Sequence, residues 1–263
     1  MITWIVSYPK SGNTWVRSFL CSYLSNKDDF NFKELAKINK FPRNYLFNQL
    51  NVNKYNLKDV ASNWIPMQAY INLKNKITYL KTHNAMMTIN NWKFTDSDNT
   101  NGFIYLIRDP RDVLISYASY MNKSIDETFK IMIGNFSHSE EDGTITSSWS
   151  KHYNSWKNSK FDKIIIRYED LIEDTENCFK KIINFLNKIN NLPIDNEKIK
   201  RSIINTNFNK LKKLEESQGF SEANQNKFFR KGKIGEWKKN LNPKIVERIE
   251  EEFNLEMKEL DYL

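Results

Sequence analysis

The apolar residues of this chain gather in four short, nearly continuous β-branched and aromatic runs. They are Trp4-Ile5-Val6-Ser7, Ile77-Thr78-Tyr79-Leu80, Phe103-Ile104-Tyr105-Leu106-Ile107 and Lys163-Ile164-Ile165-Ile166-Arg167. A strand with one wet face alternates apolar and polar positions; these runs do not, so they predict strands covered on both faces, as in a parallel sheet between helices. Between the runs the spacing becomes helical. Thr14 to Leu24 places Trp15, Phe19, Leu20, Tyr23 and Leu24 on one face. Val113 to Met121, Trp149 to Trp156, Cys178 to Leu186 and Ile245 to Leu260 read likewise. The alternation predicts an α/β fold with a central parallel sheet flanked by helices, and a ligand site beyond the C-terminal strand ends.

Asn84 to Gly102, Ser137 to Ser148 and Glu215 to Lys227 are rich in Asn, Ser and Gly and predict loops of a length common in lids and binding elements. Residues 30–71 are rich in aromatics and predict a helical cap beside the sheet. With no internal repeat and no Pro-rich linker, one domain over residues 1–263 is expected.

Composition adds limits. Hydrophobic residues make up 40% of the chain and aromatics 14%, enough for a buried core, which excludes global disorder. The mean hydropathy of −0.67 reflects Asn and Lys lying between the apolar runs. No apolar stretch approaches the roughly 20 residues of a membrane span, and the N-terminus has neither a basic leader nor a small-residue cleavage site. Two cysteines, Cys21 and Cys178, suit neither a disulfide scaffold nor a zinc cluster. The expected address is the cytoplasm. A net charge of +8 and a pI near 9.2 agree with anionic partners but equally with a solvated lysine surface.

Local motifs decide more. Tyr8-Pro9-Lys10-Ser11-Gly12-Asn13-Thr14-Trp15 follows the first strand and opens the first helix. A tight loop feeding a helix N-terminus offers N–H groups to an oxyanion. Gly12 permits close backbone approach, Lys10 adds charge, and Ser11, Asn13 and Thr14 add donors. The pattern is not Walker A, because Lys precedes the single glycine. Alone, the octet would also suit an ordinary capped strand-to-helix turn. It resembles the 5′-phosphosulfate loop of the PAPS-dependent sulfotransferases. That resemblance implies a P-loop-NTPase-like sulfotransferase fold and a donor, 3′-phosphoadenosine 5′-phosphosulfate, with two separated anionic ends.

A second anion site is therefore demanded. Arg108-Asp109-Pro110-Arg111-Asp112 stands at a strand end, with Ser116 eight residues after Arg108. It is similar to the family's 3′-phosphate motif, in which Arg108 supplies a forked, charge-assisted bond and Ser116 a hydroxyl. By itself the segment would also fit an Arg–Asp network at a helix start. A third segment, Arg230-Lys231-Gly232-Lys233-Ile234-Gly235-Glu236-Trp237-Lys238, resembles the family's closing signature with Glu236 in place of Asp. The resemblance assigns Arg230, Lys231 and the Gly232 backbone to the 3′-phosphate. Trp15 and Phe208 would sandwich the adenine, with Thr206 and Tyr168 beside it. The three matches run in the family's order from residue 8 to residue 238.

The family's base lies in a Lys-Thr-His context, here Lys81-Thr82-His83, directly after the second strand. A neutral imidazole can take the proton of a hydroxyl acceptor; an isolated strand-end histidine would instead suit a bond to a backbone carbonyl, and it is the three donor motifs beside it that favour the base. Lys10 and Lys81 would offset charge building on the leaving phosphate oxygen, so no metal is expected. The implied reaction moves a sulfuryl group from PAPS to an alcohol, phenol or sugar and releases PAP. His138 lies in a polar loop, and His152 reads as a packing position. Phe41, Tyr45, Phe47 and Trp64 suit either an apolar acceptor wall or the core.

Two departures are visible. The chain begins at the first strand, without the extension of many eukaryotic relatives, and the segment after Trp237 lacks their dimer-forming pattern, which leaves the oligomeric state open. Rival readings are weaker. A kinase needs a Walker lysine and a metal-binding carboxylate after a strand. A nucleic-acid-binding protein needs a continuous basic stripe rather than anion loops after strands, so neither nucleic acid nor membrane is expected as a partner. A PAP-binding protein without catalysis would not need both Lys10 and His83.

Overall fold

The computed structural model describes residues 1–139, 143–223 and 227–263. Five strands form a wholly parallel sheet: β1 (Ile2–Ser7), β2 (Asn39–Lys40), β3 (Thr78–Thr82), β6 (Thr100–Ile107) and β9 (Asp162–Arg167), in the order β2-β3-β1-β6-β9. Two short antiparallel ladders lie outside it, β4 (Thr88–Ile89) with β5 (Trp92–Lys93) and β7 (Ser137–His138) with β8 (Ile145–Thr146). All six residues of β1 are buried, as a strand between two neighbours and two helical layers requires.

Alternation sorts the strand residues between two cores. Ile2, Trp4, Val6, Phe103, Tyr105 and Ile107 enter the core on one face, and Ile5, Ile104 and Leu106 the other. On the second face lie the helices Asn13–Tyr23 and Thr175–Asn190, whose Phe19 and Phe179 rings stack with centroids 3.8 Å apart. The first face is covered by the helices Trp64–Asn72, Pro110–Met121, Ile125–Ile133 and Trp149–Lys157, among others. Successive strands lie on opposite sides of β1, so a crevice opens beyond Ser7 where the winding reverses.

The four predicted strands are present, and three readings are corrected. Residues 30–71 are not purely helical: they contain the edge strand β2, paired with β3, whose two residues are too few to show a pattern. Ile245 to Leu260 is not one helix. It divides at Phe253 into Pro243–Glu252 and Asn254–Glu259, because the apolar spacing continues across a residue whose backbone leaves the helix. Two of the loops carry the β4–β5 and β7–β8 ladders, and Glu215 belongs to the helix Phe208–Gln218.

Candidate active site

The chain leaves β1 through Tyr8 and Pro9 and turns at two left-handed residues, Lys10 (φ 66°) and Gly12 (φ 96°). A Cβ on Gly12 would lie 2.7 Å from Tyr168 Cδ2, so this turn requires glycine for space as well as for conformation. The helix Asn13–Tyr23 starts there with no side chain capping it, which leaves first-turn N–H groups for a ligand. The Ser11 hydroxyl is buried without a partner among the described residues. Asn13 behaves differently from a ligand-facing donor: its Nδ2 donates to the Ile5 carbonyl (3.1 Å) and to Ser7 Oγ (3.3 Å), tying the loop to β1. The Lys10 ammonium lies 3.7 Å from the Phe228 ring centre and 4.5 Å from that of Tyr120. Burial, then the charges of Arg108 and Lys81, pull its pKa down to about 7.

Arg108 follows the last residue of β6 and joins two motifs. It donates to the Lys10 carbonyl (3.2 Å) and to the Lys233 carbonyl (2.9 Å), and lies over Tyr168 at 4.4 Å. Its Nε is buried without a partner among the described residues. The Arg–Asp network at this helix start exists, but through the other arginine. Arg111 donates to both Asp109 oxygens, to Glu250 (2.5 Å) and to the Tyr262 carbonyl, and so anchors the C-terminal segment. Asp112 accepts from the N–H groups of Gly235 (2.7 Å) and Trp237 (3.0 Å), which docks the third motif on the second.

In that third motif Arg230 and Lys231 both reach Glu236, at 2.5 and 2.7 Å. Gly232 (φ 62°) would place a Cβ 2.4 Å from the Phe208 ring. Trp15, Tyr168, Phe208, Ser116 and Arg230 to Gly232 line one cavity of about 1020 Å³ together with Lys10, Gly12, Asn13, Thr14, Lys81, His83 and Arg108. Thr206 stands apart. It is fully buried, its hydroxyl donates to the Ser202 carbonyl at 2.7 Å, and it does not line the cavity.

At the other end His83 Nδ1 lies 2.8 Å from the Ser7 carbonyl oxygen. A carbonyl only accepts, so Nδ1 carries the proton and Nε2 keeps the lone pair in the neutral ring. Burial, then Lys81 and Lys40, hold the imidazole well below its ordinary pKa. His152, read as packing, also hydrogen-bonds: Nε2 donates to the His83 carbonyl (3.1 Å), and Nδ1, 2.7 Å from the Tyr105 hydroxyl, accepts. Burial pulls its pKa to about 4, so it stays neutral.

Lys81 brings in a residue the sequence does not announce. Glu222 accepts from Lys81 Nζ (2.5 Å) and from Arg17 (2.8 Å), bridging a strand, a helix and the 219–223 loop. Burial alone would raise its pKa, but the two cations outweigh it and hold the carboxyl well below the usual range. Burial also lowers Lys81 to about 8 despite this partner. Glu222 is 141 residues from Lys81 in an Asn- and Ser-rich loop, and no local spacing marks it.

The profile of the sulfotransferase domain matches residues 2–261, nearly the whole chain. This chain belongs to the sulfotransferase domain family. Among sulfotransferases, rabbit (Oryctolagus cuniculus) amine sulfotransferase is 23% identical over 97% of this chain and 80% of its own length. Sulfotransferase 1E1 of Mus musculus is 27% identical over 97% and 83%. In fold, the domain is similar to mouse sulfotransferase SULT7A1, solved with PAP, at a TM-score of 0.63 and 19% identity over 97% of this chain and 84% of that one. It is likewise similar to retinol dehydratase, solved with retinol and PAP, at a TM-score of 0.62 and 20% identity over 98% and 81%. No helix among the described residues of this sulfotransferase is long and apolar enough to cross a membrane.

Proposed function

We propose that the chain acts as one sulfotransferase domain, moving a sulfuryl group from 3′-phosphoadenosine 5′-phosphosulfate to a hydroxyl of a small-molecule acceptor, with His83 as general base. The observation that carries this reading is the His83 Nδ1 contact with the Ser7 carbonyl at 2.8 Å. It leaves Nε2 as the basic atom of a residue lining the same cavity as the Lys10–Thr14 loop.

The residues present fit such a donor. Ser11 Oγ, Trp15 Nε1 and Arg108 Nε are buried polar atoms without partners among the described residues, and side chains are excluded at Gly12 and Gly232, where a backbone could approach a phosphate. When bound, the nucleotide would supply an activated sulfuryl group and a leaving oxygen that gathers negative charge. Lys10 and the first-turn N–H groups would hold the 5′ anion, while Arg108, Ser116, Arg230, Lys231 and the Gly232 backbone would hold the 3′-phosphate. Trp15, Phe208 and Tyr168 would flank the adenine. His83 Nε2 would take the acceptor proton as the new oxygen–sulfur bond forms and the bond from sulfur to the departing phosphate oxygen breaks, and Lys81, ion-paired with Glu222, would offset the charge left on that oxygen. Fixed positioning of this kind supplies most of the acceleration in related phosphoryl transfers.

The test is calorimetric titration with PAP alongside transfer of labelled sulfate from PAPS. Saturable one-to-one heat and a mass gain on a hydroxyl acceptor are expected; an isotherm with no heat removes the reading.

A further inference from the structure

The half of the cavity around His83 has a composition of its own. Register sets Lys40 beside Lys81 on neighbouring parallel strands. Paired residues leave a sheet on the same face, and His83, two residues past Lys81, lies on that face as well. Arg43 and Asn44 continue this wall beyond β2. The β7–β8 ladder forms the facing wall. It is held beside His83 by bonds from Ala85 N–H to the Ile145 carbonyl (3.1 Å) and from Ile145 N–H to Asn84 Oδ1 (3.3 Å). From it Ser137, Ser139 and Thr146 line the cavity.

Phe41, Phe47 and Trp64 are at most 1% exposed and belong to the core, so the apolar part of the cavity wall comes instead from Tyr117, Tyr120, Met121 and Phe228. A steroid or phenol would meet that apolar stretch but leave the hydroxyls and cations of the other walls stripped of water and without partners, a cost that an anionic polyol avoids. A second cavity of about 370 Å³ shares Lys40, Arg43, Ser221 and Glu222 and adds Arg17 and Lys33. Glu222 is the acidic side chain there among the described residues, and it is engaged by Arg17 and Lys81. Arg43 lies over the Tyr45 ring at 4.7 Å, a contact that leaves its charge in place.

We propose, building on the sulfotransferase reading, that the acceptor is a hydroxyl-rich, carbohydrate-like molecule bearing a negatively charged group. Its reacting hydroxyl lies at His83, its other hydroxyls meet the Ser and Thr wall, and its anion occupies the cleft of Lys40 and Arg43. Arg43 is the recognition residue, because a guanidinium fork matches a carboxylate, sulfate or phosphate in two bonds. The chain between Ser139 and Gly143 is acidic and lies outside the described residues, so a cationic acceptor belongs in the test.

With labelled PAPS as donor, transfer is measured to a uronic acid sugar, a sugar phosphate, a neutral sugar, an amino alcohol, a phenol and a steroid. The two charged sugars should exceed the neutral one by about tenfold in kcat/KM, and the phenol and steroid by about a hundredfold. Arg43→Ala should raise KM for the charged sugars about tenfold, with PAP affinity within about twofold, and Arg43→Lys should recover part of the loss. Retained PAP binding by Arg43→Ala also shows that the variant is folded. Preference for the phenol, the steroid or the amino alcohol overturns the inference. So does an equal effect of Arg43→Ala on charged and neutral sugars, or PAP binding with no transfer to any sugar. Absence of PAP binding by the unaltered protein removes the donor reading instead.

Discussion

Beneath the donor end of the cavity, β1 and β6 run side by side over six residue pairs, and the loop after one strand is bonded to the arginine after the other. Around His83 the floor is the five-residue β3, but the walls beside it are a two-residue edge strand, a two-residue ladder and the 219–223 loop. The first region is over-determined: Arg108, Asp112 and Tyr168 each touch more than one motif. The second is held by a few bonds per segment at the edge of the sheet and outside it, away from the central β1–β6 pair. On the proposed function, the difference separates a donor site fixed by the central strands from an acceptor site set by short segments at the periphery.

The contrast can be broken at His83, where the largest effect is expected. His83→Ala should lower transfer by about 10²- to 10⁴-fold while PAP affinity changes little; a parallel loss of nucleotide affinity would show that the two regions act as one. Because the imidazole is held below its ordinary pKa, the neutral, basic form persists below pH 6.5. The acid limb of kcat/KM, lost as pH falls through the depressed value, should lie below that of a free histidine, and a limb at the free value would contradict the environment described.

A smaller loss is expected from the donor side. Gly12→Ala forces a Cβ against Tyr168 at a left-handed residue, costing about 1–2 kcal/mol. That corresponds to about a tenfold fall in PAP affinity, read by calorimetry, with acceptor KM unchanged if the regions are independent.

The subtlest expected signal is protonic. Lys10, lowered to about 7, is mostly neutral at pH 8. A bound 5′ anion favours its charged form, so PAP binding at pH 8 should take up as much as about one proton. Titration in buffers of different ionisation heat measures this. Lys10→Met should reduce the uptake, leaving any share due to Lys81, and proton release by the unaltered protein would refute the assignment.

Legibility in the sequence follows the same division. The central strands, the first helix and the three anion-binding segments are local patterns of apolar spacing, glycine and charge, and they could be read directly. The edge strand Asn39–Lys40 could not, because two residues carry no period and its pairing with β3 is set by tertiary contact. Glu222 was hidden for a related reason: its meaning arises only where a loop meets Arg17 and Lys81. Asn13 and Thr206 belong to matching motifs, yet the Asn13 amide N–H group and the Thr206 hydroxyl are bonded to the protein itself. Ser124-x-x-Glu127 is a reciprocal cap that marks the start of the helix Ile125–Ile133 from sequence alone.

Glu222 and Glu236 already sit among cations that a visiting anion would use. Arrival and departure at this mouth are thus an exchange of counter-ions rather than the filling of empty space. Dissolved salt, which screens the visitor and the half-exposed Arg230 and Lys231 pairs with Glu236 far more than the buried Glu222 pairs, should govern traffic through the mouth more steeply than viscosity does.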